Sequence, residues 1–377
     1  MNTLHDAFVI NFDKDYLKQI IKDACNLNIS NITFRGKYKV QDSRDWSVDE
    51  FREKTLNTNP TTYLNSIKEC LYRPFDHRWI ILNDDFIGYP RWETTFHFLK
   101  SDSIGLVTLK QANETVSCLC SNKILGQHKI VDPYNRSYIF PLFLYPQPNT
   151  GTLFSSTATS PWPPDPNHGN RVPNLDPAFV AEMADKLGLT FDPHLAGREH
   201  PIEAQFGPED ILAYIYAIFH SPTYRERYAE FLKIDFPRVP LTSNPDLFRR
   251  LVTLGRELLA LHLMESPRLN DRMTHFPVPG DNTVAARGSF PKYTPPEGDA
   301  GGRVFINREQ YFEGVPGEVW EFEIGGYQVL HKWLKDRRGR TLDYDDLEHY
   351  QKVVVAPSET IRLMAEIDAA IPGWPVE

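Results

Sequence analysis

The sequence predicts an α+β fold, with mixed β-sheet segments, a helical core and a short helical connector at the N-terminus. Across residues 71–145, short runs rich in β-branched and aromatic residues alternate with Asp, Asn, Gly and Pro, the texture of strands and turns. From Asp176 onward, apolar residues recur at helical spacing between recognisable caps. Between the two textures lies a Pro-dense stretch in a Ser/Thr/Asn/Gly background, which cannot hold a regular ladder. The expected organisation is a helical connector over 1–70, a β-rich part over 71–145, a Pro-rich loop or linker over 146–175, and an α+β domain with central helices over 176–377. At roughly 100–200 residues per domain, a chain of 377 residues suits two or three such units.

In chain order, residues 13–24 form the first helix, with Tyr16, Leu17, Ile20 and Ile21 on one side, a face that needs a partner. Ser47 followed by Glu50 fits a capping box opening a second short helix that runs to about Leu56. Residues 79–82, 105–109 and 138–145 read as strands. Asp176 and Pro177 suit the cap and first turn of a helix with the stripe Phe179, Val180, Met183 and Leu187, and Gly188 ends it. Residues 208–220 are apolar on most sides and predict a central buried helix. Ser221-Pro222 restarts the chain into an aromatic and charged helix over 224–233, and Asn244-Pro245 opens another that reaches about Glu265. Residues 277–300 are a second Pro/Gly loop. Strands follow at 304–306 and 318–324, a sharp turn at Gly325-Gly326, a helix over 329–334, and a last helix over 359–369. No internal repeat is present.

Apolar content of 41% and charged content of 24% are those of a globular chain. No apolar run approaches the ~18–20 residues of a membrane span, and Asp6 and Asp13 sit where a signal peptide carries lysines, so a cytoplasmic location is expected. Cys25, Cys70, Cys118 and Cys120 are too few and too irregular for a disulfide framework. Cys118 and Cys120 lack the second pair of a zinc site, so buried thiols are expected.

The search for catalytic chemistry returns decoys. An amino methyltransferase grips a flipped base with Asn/Asp-Pro-Pro-aromatic, and the nearest match is Asn59-Pro60-Thr61-Thr62-Tyr63. It lacks the second proline and follows polar residues where a buried strand should deliver it, so a capped turn before a helix is the simpler reading. No GxGxxG, Walker-type GxxxxGK[ST] or GxSxG pattern occurs. Glu318, Glu321 and Glu323 cluster without a lysine, and His97, His128, His168 and His220 are scattered, so neither a nuclease centre nor a metal site is expected. Catalytic, cofactor-binding and metal-ligating residues are therefore expected to be none.

Three long blocks carry a family resemblance: GGYQVLHKWLKDRRGRTLDYDDLEHYQKVV (325–354), YFEGVPGEVWEFEI (311–324) and PEDILAYIYAIFHSPTYRERYAEFLKIDFPRVP (208–240). With them, the chain from roughly Val40 to Asp368 resembles the C-terminal part of Type ISP restriction-modification enzymes. In that family a nuclease and helicase motor precede an adenine-N6 methyltransferase, and a C-terminal specificity domain chooses the DNA sequence. The resemblance implies a target-recognition module that binds duplex DNA and needs no cofactor of its own. S-adenosylmethionine would serve the missing methyltransferase core, and that core and the helicase-nuclease would lie upstream or in a separate chain. The absence of catalytic motifs leaves two rivals: a divergent DNA adenine methyltransferase using Asn59 and Tyr63, and a non-catalytic protein-interaction module.

DNA recognition needs cations on phosphates and Arg, Gln, Asn or Lys at base edges, and three clusters supply them. The first is Arg73 and Arg78 in YRPFDHRW with nearby Arg91, where Asp76 offers the arginines an ion pair as the alternative role. The second is the turn Lys110-Gln111-Ala112-Asn113, with Lys110 on a phosphate and Gln111 or Asn113 reading adenine. The third is Lys332, Lys335, Arg337, Arg338 and Arg340, denser than helix capping requires and expected to hold the DNA backbone. The net charge of −9 opposes a cationic coat, but acid is unevenly spread. Residues 1–150 hold 18 basic against 17 acidic side chains, and 151–377 hold 23 against 33.

Overall fold

The computed structural model describes residues 1–112, 117–146, 160–195, 197, 200–296 and 301–376. They form an α+β assembly of helices and several small sheets, without a barrel. Composition marks boundaries near 70, 145 and 175. Contacts define two compact units, one of residues 1–104 with 122–130, the other of 105–121 with 131–377. Of the Pro-rich stretch, residues 147–159 lie outside the described residues.

The first unit opens with α1 (Asp6–Val9), β1 (Ile10–Asn11), α2 (Lys14–Ala24), α3 (Asn31–Tyr38), α4 (Val48–Leu56) and α5 (Pro60–Leu64). Its sheet is built on the hairpin β2 (Ile67–Arg73) and β3 (Asp76–Ile81), with β1 antiparallel to β3 and the short β6 (Ile124–Leu125) parallel to β2. α6 (Trp92–Thr95) follows the hairpin. The apolar face of α2 finds its partner here: Leu17, Ile20 and Ile21 are fully buried. Phe8, Phe34, Phe51, Phe86 and Trp46 pack ring on ring beside it. A helix end leaves carbonyls without partners, and Arg52 of α4, itself buried, supplies donors to those after α2. Its guanidinium donates to Asp23 O at 2.7 Å, Asn26 O at 3.0 Å and Ile29 O at 2.6 Å, and also to Ala24 O.

In the second unit, β4 (Gly105–Leu109) is the centre of an antiparallel sheet, with β5 (Cys118–Ser121) on one side and β7 (Ser137–Pro141) on the other. Short pairs follow: β8 (Phe143–Leu144) with β9 (Val172–Pro173), and β10 (Thr190–Phe191) with β11 (Gln205–Phe206) after α7 (Pro177–Leu187). The helical core is α8 (Pro208–His220), α11 (Pro245–His262) and α14 (Tyr344–Ala370). α8 and α11 approach so closely at Gly255 that a Cβ there would lie 1.9 Å from Ala213 O. A second antiparallel sheet, β12 (Lys292–Thr294), β13 (Gly302–Phe305) and β14 (Tyr311–Val315), precedes α12 (Gly317–Glu321), the hairpin β15 (Glu323–Ile324) and β16 (Tyr327–Gln328), and α13 (Val329–Lys335).

Three local expectations change. The strand expected over 318–324 is the helical turn α12 followed by β15. Val319 and Trp320 are adjacent and both buried, which a helical turn allows and strand alternation does not. The helix expected over 224–233 breaks at Tyr228 into α9 (Pro222–Arg227) and α10 (Ala229–Leu232). The last helix starts far earlier, at Tyr344, where the Asp343 side chain accepts from Asp346 N, and it runs through Pro357. A proline inside a helix costs about 3 kcal/mol. Burial of every residue from Val353 to Pro357 offsets that cost.

Between α8, α11 and α14 lies a fully buried polar chain. Tyr216 donates its hydroxyl proton to His262 Nδ1, His262 Nε2 donates to Thr360 Oγ1 at 2.9 Å, and Thr360 donates to Ala356 O at 2.7 Å. Every site is satisfied only while His262 is neutral. Beside it, His220 Nδ1 donates to Tyr216 O at 2.7 Å, with the Cys118 sulfur 3.6 Å away. Burial, and then the Arg225 charge, push His262 down to about 3 and hold His220 well below its usual range.

A histidine whose folded pKa is depressed contributes stability that is complete above its unfolded value of about 6.5 and is lost as pH falls toward the folded value. We expect denaturant melts to show His262 alone removing about 2 kcal/mol between pH 7 and pH 5. His262→Gln should flatten that part of the pH dependence, and equal slopes for variant and wild type would refute the assignment.

Candidate nucleic-acid interface

The hairpin before α13 sets the place of the cationic segment. Ile324 pairs with Tyr327, so Gly325 and Gly326 make the turn, at φ of +57° and +80°. The turn lies on the backbone of its own unit: a Cβ on Gly325 would fall 1.5 Å from Val131 O, whereas one on Gly326 would meet only Pro133 at 3.7 Å. α13 follows directly, its Leu330, Trp333 and Leu334 buried.

The five cations of this segment have different fates. Arg337 is 4% exposed, its guanidinium 3.3 Å from the centre of the Trp333 ring. It donates to Trp333 O at 3.1 Å, with Asp346 Oδ1 3.7 Å from its Nε. Stacking and a carboxylate partner hold it inside the fold. Arg340 is half-buried and pairs with Asp346 at 3.0 Å, and Lys332 pairs with Asp336 one turn on. Lys335 is exposed.

Arg338, also exposed, reaches across to the loop before β12 and donates to Phe290 O, 2.8 Å from Nε. The same loop is tied to the segment by Gly339 N to Val284 O at 2.7 Å and Val284 N to Arg340 O at 3.0 Å. Arg287, exposed at the middle of that loop, is thereby brought beside Arg338, whose Nη2 lies 3.4 Å from Gly288 O. The sequence reading missed Arg287, because its only local signal is one arginine before a glycine in a Pro/Gly loop. His331 marks the same neighbourhood: burial lowers its pKa first, then the charges of Lys335, Arg338 and Lys332. Trp320 lies edge-on to His331 with centroids 5.9 Å apart, and Tyr293 stacks on Trp320 at 5.4 Å.

Lys110 and Gln111 leave the end of β4 exposed. Gln111 Nε2 donates to Ile234 O at 3.0 Å and Ala112 N to Leu232 O at 3.1 Å. Half of the Gln111 amide is thus spent fastening the turn to the segment after α10. Asn113 lies outside the described residues.

The remaining candidates belong to the first unit. Arg78 takes the alternative role: its Nε and Nη2 donate to Asp76 Oδ2 at 3.1 and 2.7 Å, and its guanidinium sits 3.7 Å from the Tyr72 ring and 4.1 Å from Phe12. Asp76 is itself buried, and it fixes the Arg78 guanidinium of its own strand β3 against the Tyr72 ring of β2. Arg73 donates to Lys129 O at 2.8 Å. Arg91 is exposed, with Glu93 3.9 Å away. The methyltransferase-like decoy is structural. Asn59 caps α5 by accepting from Thr61 N at 2.9 Å, and Tyr63 is buried with its hydroxyl donating to Asp85 at 2.9 Å. Among the described residues no three His, Cys, Asp or Glu side chains converge as metal ligands, and no helix is long and apolar enough to cross a membrane.

The family model for the Type ISP C-terminal specificity domain matches residues 1–366. No curated protein matches. Solved structures that share the fold include three with DNA. A nuclease-deletion mutant of the Type ISP restriction-modification enzyme LlaGI, in complex with a DNA substrate mimic, is 18% identical with a TM-score of 0.62, covering 100% of this chain and 33% of that one. The ATP-dependent Type ISP enzyme LlaBIII bound to DNA is 16% identical at 0.62, covering 100% and 23%. The DrdV–DNA complex is 17% identical at 0.64, covering 97% and 35%. The chain thus spans about a quarter to a third of the length of these structures.

The glycine turn can be tested directly. Gly325→Ala combines a left-handed backbone with a collision against a carbonyl, and should destabilise the protein by about 3 kcal/mol or more. Gly326→Ala carries only the backbone penalty, about 1 kcal/mol. Equal melting temperatures for the two variants would contradict this account of the turn.

Proposed function

The chain belongs to the Type ISP C-terminal specificity domain family, and from that premise we propose that it is the sequence-specific duplex-DNA recognition module of a Type ISP-like restriction-modification system. The observation that carries the reading is the specificity-domain match over residues 1–366. The DNA-bound state of the enzymes that share its fold supports it. The module selects a site and leaves reaction to other parts. An adenine methyltransferase core with S-adenosylmethionine, and a helicase-nuclease, belong to the remaining length of such enzymes, in the same polypeptide or in a separate one. Its setting is the cytoplasm and its role is defence against phage DNA.

On the surface, Lys335, Arg287 and Arg338 are the phosphate-holding group of the second unit, with Lys110 at the end of β4 and Arg91 in the first unit as further contacts. Arg337, Arg78 and Arg73 serve the fold. Gln111 reads a base edge with the part of its amide that Ile234 does not engage. The net charge of −9 is compatible with this, because phosphate binding depends on local cations and the counterions they displace.

Anisotropy titrations of the purified chain with duplex DNA at rising salt test the reading. Affinity should fall steeply, and Lys335→Ala with Arg287→Ala should weaken binding to all duplexes alike, reducing the log–log salt slope by roughly 2. A flat salt response would sink the DNA reading, and measurable S-adenosylmethionine binding by this chain would favour a methyltransferase instead.

A further inference from the structure

The register of the β4 sheet gathers loops that the sequence keeps apart. Leu109, the last residue of β4, lies opposite Ser137, the first of β7, and Thr108 lies opposite Cys118, the first of β5. The chain therefore leaves β4 through Lys110 and Gln111 at the same end of the sheet where it enters β7 from Tyr134, Asn135 and Arg136. The Gly325-Gly326 turn is at this end too, against Val131 and Pro133.

The 131–136 loop is tied by its own hydrogen bonds. Asp132, 6% exposed, accepts from Tyr134 N and Asn135 N at 2.6 Å each and from Asn135 Nδ2 at 3.3 Å, and Val131 N donates to Ser137 Oγ at 3.2 Å. What this scaffold presents is unusual for a surface: the Tyr134 ring is 80% exposed, the most open aromatic among the described residues, and Arg136 is exposed two residues on. A planar guanidinium and a ring, at the same end of the sheet as an exposed lysine and glutamine, are side chains that can contact base edges in a groove.

We propose that Tyr134 and Arg136 are specificity-determining residues, and that this end of the β4 sheet is the base-reading edge of the module. Arg136 offers its donor fork to O6 and N7 of a guanine, and Tyr134 packs on the neighbouring base edge. Lys110 holds an adjacent phosphate. The inference rests on the DNA reading above and assigns its sequence-reading site.

The test is selection from a randomised duplex pool by the full chain, followed by sequencing. Wild type should enrich a motif containing a guanine whose preference falls at least about tenfold in Arg136→Ala, while affinity for unselected duplex changes less than about threefold. Tyr134→Ala should relax a neighbouring position. Arg136→Lys keeps the charge and loses the fork, so it should weaken the guanine preference, by less than Arg136→Ala does. If wild type enriches a motif and all three variants enrich the same one, this inference falls and the DNA reading stands. If Arg136→Ala retains the preference, the base-reading role of Arg136 is overturned. A wild type that binds duplex without enriching any motif overturns both.

Discussion

The carbonyl oxygen of Val131 leaves no room for a side chain on residue 325, and the placement of the C-terminal half of the second unit depends on that contact. Because Gly325 lies flat on the 131 backbone, the β15–β16 hairpin is fixed against the loop that leads into β7. α13 then departs from a defined point. Trp333 and Leu334 bury its inner face and Lys335 ends it at the surface. The same contact sets Pro133 beneath Gly326, so the 131–136 loop and the cationic segment are positioned by one turn.

Arginines in this protein are divided between holding the fold and facing solvent, and geometry assigns them. Arg52 lies among helix-end carbonyls, Arg78 between two rings and a buried carboxylate, and Arg337 on Trp333 beside Asp346. In each case the planar guanidinium is matched on its face by an aromatic ring or on its edge by several acceptors, which a lysine does not reproduce. Removing one partner of such an arrangement would leave a buried charge uncompensated. The cations left at the surface are fewer than the sequence count suggests, and Arg338 does both tasks, gripping a loop carbonyl while its side chain stays exposed.

The helical core depends on close approach as the turn does. Gly255 lets α11 lie on the Ala213 backbone of α8, and the polar chain from Tyr216 through His262 to Thr360 spans the space between these helices and α14. A buried polar chain of this kind specifies one arrangement, since any shift leaves a donor without an acceptor. Rigidity of this core is what gives the β4 sheet, whose Cys118 meets His220, a firm backing.

Residue order alone determined much of this protein. The α+β class, the buried character of α8, the caps at Ser47, Asn59, Asp176 and Asn244, and the structural nature of the Asn59–Tyr63 decoy all follow from periodicity and capping chemistry. These are legible because their causes act within a few residues. Sequence did not foresee that 318–324 begins as a helix, because the burial of both Val319 and Trp320 is a tertiary matter. Nor did it foresee that α14 runs through Pro357, because burial outweighs local propensity. Within the cationic cluster, sequence listed five equivalent charges. Only the packed structure decided that Arg337 is stacked on Trp333 while Arg287, fifty residues away, stands beside Arg338. A side chain's charge is written in the chain, but its availability depends on partners brought together across the fold.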